Sequence, residues 1–483
     1  MIRSRPRAVI SRKTTLRILA LAGFALFASV VYYGGQVITT GAAYKAKILC
    51  SSVFISKRSP EDVMREDLEG LLSMIGANID FEAKSVTATF PGVPGQRAIF
   101  RDQLGCTLLA GDFDAEVAAS ARDIVVNAPP RPVKPEAMAG FRGFAEGIPR
   151  EVSQRKLGEA LDKAFSEKNP DQPVRTRAVV VVYDGRIIAE RYARGISADT
   201  ALPGWSMTKS VTNALVGILV NQGKLLLDKP VRLAEWSAPG DPRQAITLDQ
   251  LLRMSSGLAF DESSGPVFSD VIRMLVRSRD VAGYALNKPL QHKPDSHWQY
   301  SSGTTNIISR IIRDSVRASV EAYHAFPRRL LFDKIGMSSA IMEVDASGTF
   351  VGSSYMYANA RDWARFGLLY LQDGVWEGER ILPPGWVRYS SMPSPTAPEG
   401  QYGAHFWTNG KPGMDSRATP LKDLPADTFF ASGYEGQYVA VIPSRKLVVV
   451  RLGQTKNRKA WDLESFVADI IAAISVGELS SGG

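Results

Sequence analysis

Hydrophobic and polar positions fall into three regimes along this chain. Residues 18–33 carry no charge, and apolar character continues weakly to Ile38. Taken as residues 18–38, this stretch is long enough to cross a bilayer as a helix. β-rich runs mark a second regime. Residues 178–183 and 186–192 flank Asp184-Gly185, a strong hairpin signal, and 437–442 and 446–452 flank Pro443-Ser444 as a second hairpin. Helical spacing marks the third. Residues 153–167 read as an amphipathic surface helix, 211–220 as a helix apolar nearly all round and therefore buried, and 460–474 as a terminal helix. Thr247-Leu248-Asp249-Gln250 is a capped helix start.

Between the first apolar run and the first hairpin lies a smaller pattern. Pro60 opens a helix expected to run to about Ile75, and short strands follow at 85–90, 96–100 and 107–109. Residues 128–150 are rich in Pro, Gly and Arg, a linker signature. The chain thus divides into a basic N-terminus with an apolar segment (1–45), a small α/β unit (46–127), a linker (128–150) and a large body (151–478). Strands sit at both ends of the body with helices between. The expected class is α/β (α+β): an antiparallel sheet flanked by helices, with a helical subdomain and a site between them.

Charge sharpens the N-terminal reading. Of the net +9, Arg3, Arg5, Arg7, Arg12, Lys13 and Arg17 supply six before residue 18. The remaining +3 over so long a chain implies no nucleic-acid surface. A basic flank stays in the cytoplasm, so the body is expected outside it. The favoured location is the inner membrane, with a single span and the large domain in the periplasm. The alternative is a signal peptide cleaved near Gly41-Ala42-Ala43. Cys50 and Cys106 are the only cysteines. In an exported chain they are candidates for a disulfide, with two buried free thiols as the alternative.

The chemistry centres on Gly204-Trp205-Ser206-Met207-Thr208-Lys209. A serine and a lysine three apart share one helix face, and the first turn of a helix has free N–H groups that can face an anion. A second Ser-x-x-Lys, Ser153 to Lys156, opens the amphipathic surface helix and reads as a cap and a solvated charge. The helix expected to start near Ser206 is buried, and a lysine there is costly unless neutral or well paired. The four histidines, His292, His297, His324 and His405, form no catalytic or metal-binding constellation, so no metal and no cofactor is expected. Lys209 is therefore the candidate base for Ser206. Tyr300, in a loop before an apolar-faced helix, is the candidate proton shuttle. Tyr389-Ser390-Ser391 repeats its triplet but runs into Met392-Pro393.

With these residues in order, the chain resembles the penicillin-recognising serine hydrolases: class C β-lactamases, D-alanyl-D-alanine peptidases, related esterases and 6-aminohexanoate-dimer hydrolases. Ser206-x-x-Lys209 matches their first motif. Tyr300-Ser301-Ser302 stands in place of their Tyr-x-Asn, and Ala431-Ser432-Gly433-Tyr434 in place of their Lys/His-Thr-Gly. Residues 251–258 and 359–367 also look like the family. The resemblance implies a β-lactamase-like fold over about 150–475, with Ser206 as nucleophile, Lys209 as base and Tyr300 as proton donor. It implies an oxyanion hole from the backbone N–H groups of Ser206 and Tyr434, and substrate contacts from Ser302, Gly433 and Glu435. Ser302 replaces the asparagine that grips the β-lactam amide, and Ala431 the cation that receives its carboxylate. The resemblance therefore points to the amide-hydrolase and esterase branch, closest in look to the 6-aminohexanoate-dimer hydrolases. The expected partner is a small amide or ester substrate. A D-alanyl-D-alanine carboxypeptidase or β-lactamase, and an inactive membrane-tethered binding module, are the alternatives.

Overall fold

The computed structural model describes residues 12–109, 147–263, 269–316, 319–409 and 421–474. It opens on one helix, α1 (Arg12–Phe54), which is long and apolar enough to cross a membrane. Residues 13–33 of α1 are exposed, whereas residues 42–54 are almost wholly buried. The cover is a four-stranded antiparallel meander, β1 (Gly76–Asp80), β2 (Ser85–Phe90), β3 (Val93–Arg101) and β4 (Gly105–Leu109), paired in that order. Cys50 on α1 and Cys106 on β4 form a disulfide, with Cα atoms 6.1 Å apart.

The helix expected from Pro60 to Ile75 is shorter than its pattern. α2 (Pro60–Glu66) stops early, Gly70 takes φ +69°, and a 3₁₀ turn at Gly70–Met74 leads into β1. Strand β1 carries no alternation that a sequence pattern could show, because both its faces are largely exposed. The linker expected at 128–150 lies, up to residue 146, outside the described residues.

The body is built on a six-stranded sheet. Its strands are β5 (Thr176–Tyr183), β6 (Arg186–Tyr192), β7 (Trp407–Thr408), β8 (Phe429–Gly433), β9 (Gln437–Ile442) and β10 (Leu447–Gly453). They run in the order β7-β8-β9-β10-β5-β6, every neighbour antiparallel. The N-terminal hairpin β5-β6 thus adds to the C-terminal strands, which closes the body on itself. One sheet face packs on α3 (Gln154–Ala164) and the terminal helix Leu463–Ala472, sharing one apolar cluster. The other face packs on the helix Ala360–Leu371, close enough that a Cβ on Gly367 would meet Val448 Cγ1 at 2.5 Å. The helical region between the two sets of strands lies over this second face. The fold is β-lactamase-like, as the sequence pattern implies.

The small unit and the body are joined by charge as well as by apolar contact. Lys47 on α1 and Glu343 of the body form a fully buried ion pair. Glu343 also accepts from Ser51 Oγ and from the Cys106 backbone N–H, both at 2.7 Å. Arg177, at the start of β5, binds Asp67 just after α2. Such pairs contribute little relative to an apolar replacement, but removing one partner leaves a buried charge uncompensated.

Candidate active site

The serine sits on a strained turn between a short strand and a buried helix. Gly204 N–H donates to the Met356 carbonyl at 2.8 Å, tying the approach into a small three-stranded ribbon. Trp205 follows at φ +48°, a left-handed conformation that a bulky side chain rarely adopts. A 3₁₀ turn carries Trp205–Met207, and α4 (Thr208–Asn221) begins two residues later than the sequence pattern suggests. Thr208 Oγ1 donates to the Trp205 carbonyl at 2.6 Å, which closes the turn. Gly204 has no substitute here, because a Cβ would lie 2.4 Å from Trp363 Cζ2. The tryptophan of the stretch 359–367 is thus the floor under the Ser206 turn.

Lys209 is 1% exposed and its Nζ has three oxygen neighbours. Ser206 Oγ lies at 3.1 Å, Ser302 Oγ at 3.0 Å and the Ser353 carbonyl at 3.1 Å. The ring of Tyr300 faces the same nitrogen, its centroid 4.7 Å away. The structure therefore brings Ser206, Lys209 and Tyr300 together. Tyr300 is placed by two supports. The loop before it is held to the 254–257 turn by Gln299 N–H to the Met254 carbonyl at 2.9 Å and Gln291 N–H to the Gly257 carbonyl at 2.8 Å. Gly257 needs its positive φ of +76°, since a Cβ would meet the His292 carbonyl at 2.0 Å. The Tyr300 ring then packs on Tyr402 and Trp407, with Trp298 in the same cluster. After it, Ser301 caps α5 (Ser302–Ser315) by accepting from Thr304 N–H. Tyr389 lies elsewhere, its hydroxyl donating to Asp249 at 2.6 Å.

Ser302 does not project into open space. It is buried beneath Lys209, and its hydroxyl donates to Glu262 Oε1 at 2.5 Å. Glu262 Oε2 also accepts from the Ser302 backbone N–H at 2.8 Å. Burial pushes the Glu262 carboxyl above its ordinary range, while the Lys209 charge and the Ser302 bonds pull it down. Sequence reasoning missed Glu262; the only signal was an Asp261-Glu262 pair interrupting the otherwise uncharged stretch 254–269. His405, which the sequence placed in no catalytic or metal-binding constellation, is fully buried. Its Nδ1 lies 3.0 Å from the Lys209 carbonyl and must donate to it, so Nε2 accepts from Thr305 Oγ1 at 3.2 Å. Burial, then the Lys209 charge, hold this imidazole down at about 3, so it braces the helix as a neutral group.

The end of β8 borders the Ser206 turn. A Cβ on Gly433 would lie 2.2 Å from the Gly204 carbonyl, so the two backbones touch. Tyr434 follows directly and its ring packs edge-on against Trp205 at 5.8 Å. Ala431 is buried in β8. Glu435 is mostly buried at φ +60° and lines a small cavity with Tyr44 of α1, Asp67, Arg177 and Trp205. Burial raises its carboxyl to about 7, opposed by Lys456, Arg177 and Arg175. The structure therefore sets Glu435 against the small N-terminal unit, while Ser302 and Gly433 border the lysine and the Ser206 turn.

The model of the Beta-lactamase family matches residues 161–470. The chain belongs to the Beta-lactamase family. Within it, the 6-aminohexanoate-dimer hydrolase of Paenarthrobacter ureafaciens is 26% identical over 274 residues, covering 51% of this chain and 69% of that one. A solved structure from Bacillus anthracis, named as a 6-aminohexanoate-dimer hydrolase, superposes with a TM-score of 0.53 at 22% identity, covering 69% of this chain and 87% of that one. EstCE1, described as a hydrolase with promiscuous acyltransferase activity, gives 0.52 at 16% identity, over 67% and 98% of the two chains. At such identities the structural likenesses carry the fold alone. This Beta-lactamase-family chain is thus a β-lactamase-fold relative of hydrolases, and its own chemistry rests on the site.

Proposed function

We propose that this protein is a serine hydrolase that cleaves a small amide or ester through an acyl-enzyme on Ser206. The observation that carries the reading is the hydrogen-bonded chain from half-buried Ser206 through the buried Lys209 and Ser302 to half-buried Glu262. A neutral amine at Lys209 has one lone pair and two N–H bonds. The lone pair takes the Ser206 proton, and the two N–H bonds are held by Ser302 and the Ser353 carbonyl. As the amine becomes an ammonium, the Glu262 carboxylate stabilises it through the Ser302 hydroxyl. Tyr300 gives a proton to the leaving group and helps activate the deacylating water. The N–H groups of Ser206 and Tyr434 receive the oxyanion, a contact whose loss costs about 3–4 kcal/mol in comparable sites.

Ala431 provides no cation for a β-lactam carboxylate and Ser302 is engaged below the lysine, so amides and esters without that carboxylate fit better than β-lactams. We assign α1 to a single membrane span, with the hydrolase body on the periplasmic side. The deciding experiment is a fluorophosphonate label on the folded full chain, read by mass spectrometry. An adduct on Ser206, absent in Lys209→Ala, is expected. A folded chain without any adduct supports an inactive binding module instead. Turnover of p-nitrophenyl esters with little nitrocefin cleavage separates the esterase and amidase branch from the β-lactamases.

A further inference from the structure

The small N-terminal unit is polarised along α1. Its meander lies parallel to that helix, with one end near Gly41 and the other near Phe54. At the first end, a Cβ on Gly41 would lie 3.0 Å from Ile75 Cδ1 and 3.4 Å from Leu72 Cδ2. Lys45 Nζ donates to the carbonyls of Leu72 at 2.9 Å and Ile75 at 2.5 Å, which pins the Gly70–Met74 turn to the helix. The pairing of Gly76 with Thr89 brings the β2-β3 hairpin tip, Phe90 to Val93, to the same end. At the other end, Phe81 packs on Phe54 with ring centroids 6.0 Å apart.

These two ends differ in chemistry. Residues 70–77 and 88–95, which form the Gly41 end, contain no charged side chain. The turns at the far end hold Asp80, Glu82, Lys84, Arg101 and Asp102. On the uncharged end Leu71 is 78% exposed and Met74 is 67% exposed, although a stable fold has no need to present either to water. The level of this rim follows from helix geometry. A span of residues 18–38 rises about 32 Å at about 1.5 Å per residue, close to a hydrocarbon core of about 30 Å. Gly41 is then roughly 5 Å beyond the hydrocarbon edge, within the headgroup layer. Residues 34–36 of α1 are already partly covered, so cover begins below that edge.

We propose that this rim, led by Leu71 and Met74 with the Phe90–Val93 tip beside it, is a second membrane contact. Its partner is the headgroup–acyl boundary of the phospholipid leaflet facing the hydrolase body. The inference rests on α1 being a span. It deepens that reading, because a single helix leaves the body free to rotate and tilt. A rim fixed to the helix by Lys45, and a unit fixed to the body by the buried Lys47–Glu343 pair, set the height and orientation of the Ser206 site above the bilayer.

The test uses the unmodified full chain in phosphatidylcholine–phosphatidylglycerol vesicles containing a phospholipid with a diazirine on the glycerol-proximal part of its acyl chain. After photolysis, adducts are mapped by mass spectrometry. Adducts on peptides covering 70–75 and 89–94, together with α1 and without 80–84, are expected. The double change Leu71→Asp with Met74→Asp, on mostly exposed side chains, is expected to cut the 89–94 adducts several-fold while leaving those on α1. Labelled α1 with an unlabelled 70–94 region overturns the rim but keeps the span. Absence of label from both overturns the span and the rim with it.

Discussion

Replacing Glu262 with glutamine tests the proposed chemistry most directly, because it removes one charge and little volume. Ser302 Oγ lies 3.0 Å from Lys209 Nζ and 2.5 Å from Glu262 Oε1, so amine and carboxylate are at most about 5.5 Å apart. At an effective dielectric of about 20, unit charges at about 5 Å attract by roughly 3 kcal/mol, or about 100-fold in rate. The effect has a specific form. Where the free enzyme already carries a neutral amine, only the transition state holds the ammonium. The acylation plateau of Glu262→Gln at high pH should therefore fall about 100-fold. Where the resting amine is protonated, the carboxylate stabilises ground and transition states alike, and the loss shrinks. In acid, where the wild-type carboxyl is raised by burial and takes up a proton early, the two enzymes should converge. Stopped-flow bursts with a p-nitrophenyl ester across pH measure both limbs. A plateau equal to that of wild type would falsify the coupling of Glu262 to the base. An equal loss at every pH would point to simple misplacement of Ser302.

Other changes probe the frame around the site. Ser206→Ala and Lys209→Ala should be equally inert to fluorophosphonate, and full activity in the lysine variant would remove Lys209 from its role. Gly204→Ala drives a Cβ to 2.4 Å from Trp363, so labelling should drop more than tenfold in a chain whose circular dichroism is unchanged; normal labelling would show that the turn tolerates a shift. Reducing the Cys50–Cys106 bridge opens a loop of 56 residues, with a loss of about 4 kcal/mol on the chain-entropy account. Exchange at residues 42–54 and in β4 should rise under reductant, and identical protection in both states would refute it. Glu435→Gln should stabilise the fold at pH 8 but not at pH 4. The folded carboxyl is raised from 4.5 to about 7, so its neutral form fits the cavity and stability falls as pH rises between those values, by up to about 3 kcal/mol. Equal denaturation midpoints for wild type and variant at pH 8 would count against that cavity as the cause.

Much of the frame was legible because it is written in local patterns. Asp184-Gly185 between β-rich runs predicts β5-β6, and the capping box at Thr247 and Gln250 is present as spaced. Ser206 and Lys209 meet because a separation of three suffices in a 3₁₀ turn entering a helix, so an error of two residues in the helix start did not part them. What stayed hidden depends on pairing across distance. Glu262 reaches Lys209 only through Ser302, forty residues later, and no periodicity encodes that approach. Ser302 itself misled, since a short hydroxyl in place of an amide reads as a lost substrate contact. The structure shows instead that it has gained a carboxylate.

That exchange links the departures from the penicillin-recognising motifs into one physical argument. An asparagine at position 302 would offer an amide to substrate but could not relay a proton-bound charge in the same way. A serine is short enough to sit under the lysine and to hold a buried Glu262 whose charge would otherwise be costly. Ala431, standing in place of the family's third-motif cation, packs as a core residue of β8. The residues at 302 and 262 thus belong together: the serine holds the carboxylate beside Lys209. Restoring the family residues one at a time tests this. Ser302→Asn alone should lose acylation, because it strands Glu262, whereas Ser302→Asn with Glu262→Gln should recover part of it. A double variant no better than Ser302→Asn would show that the two positions act independently.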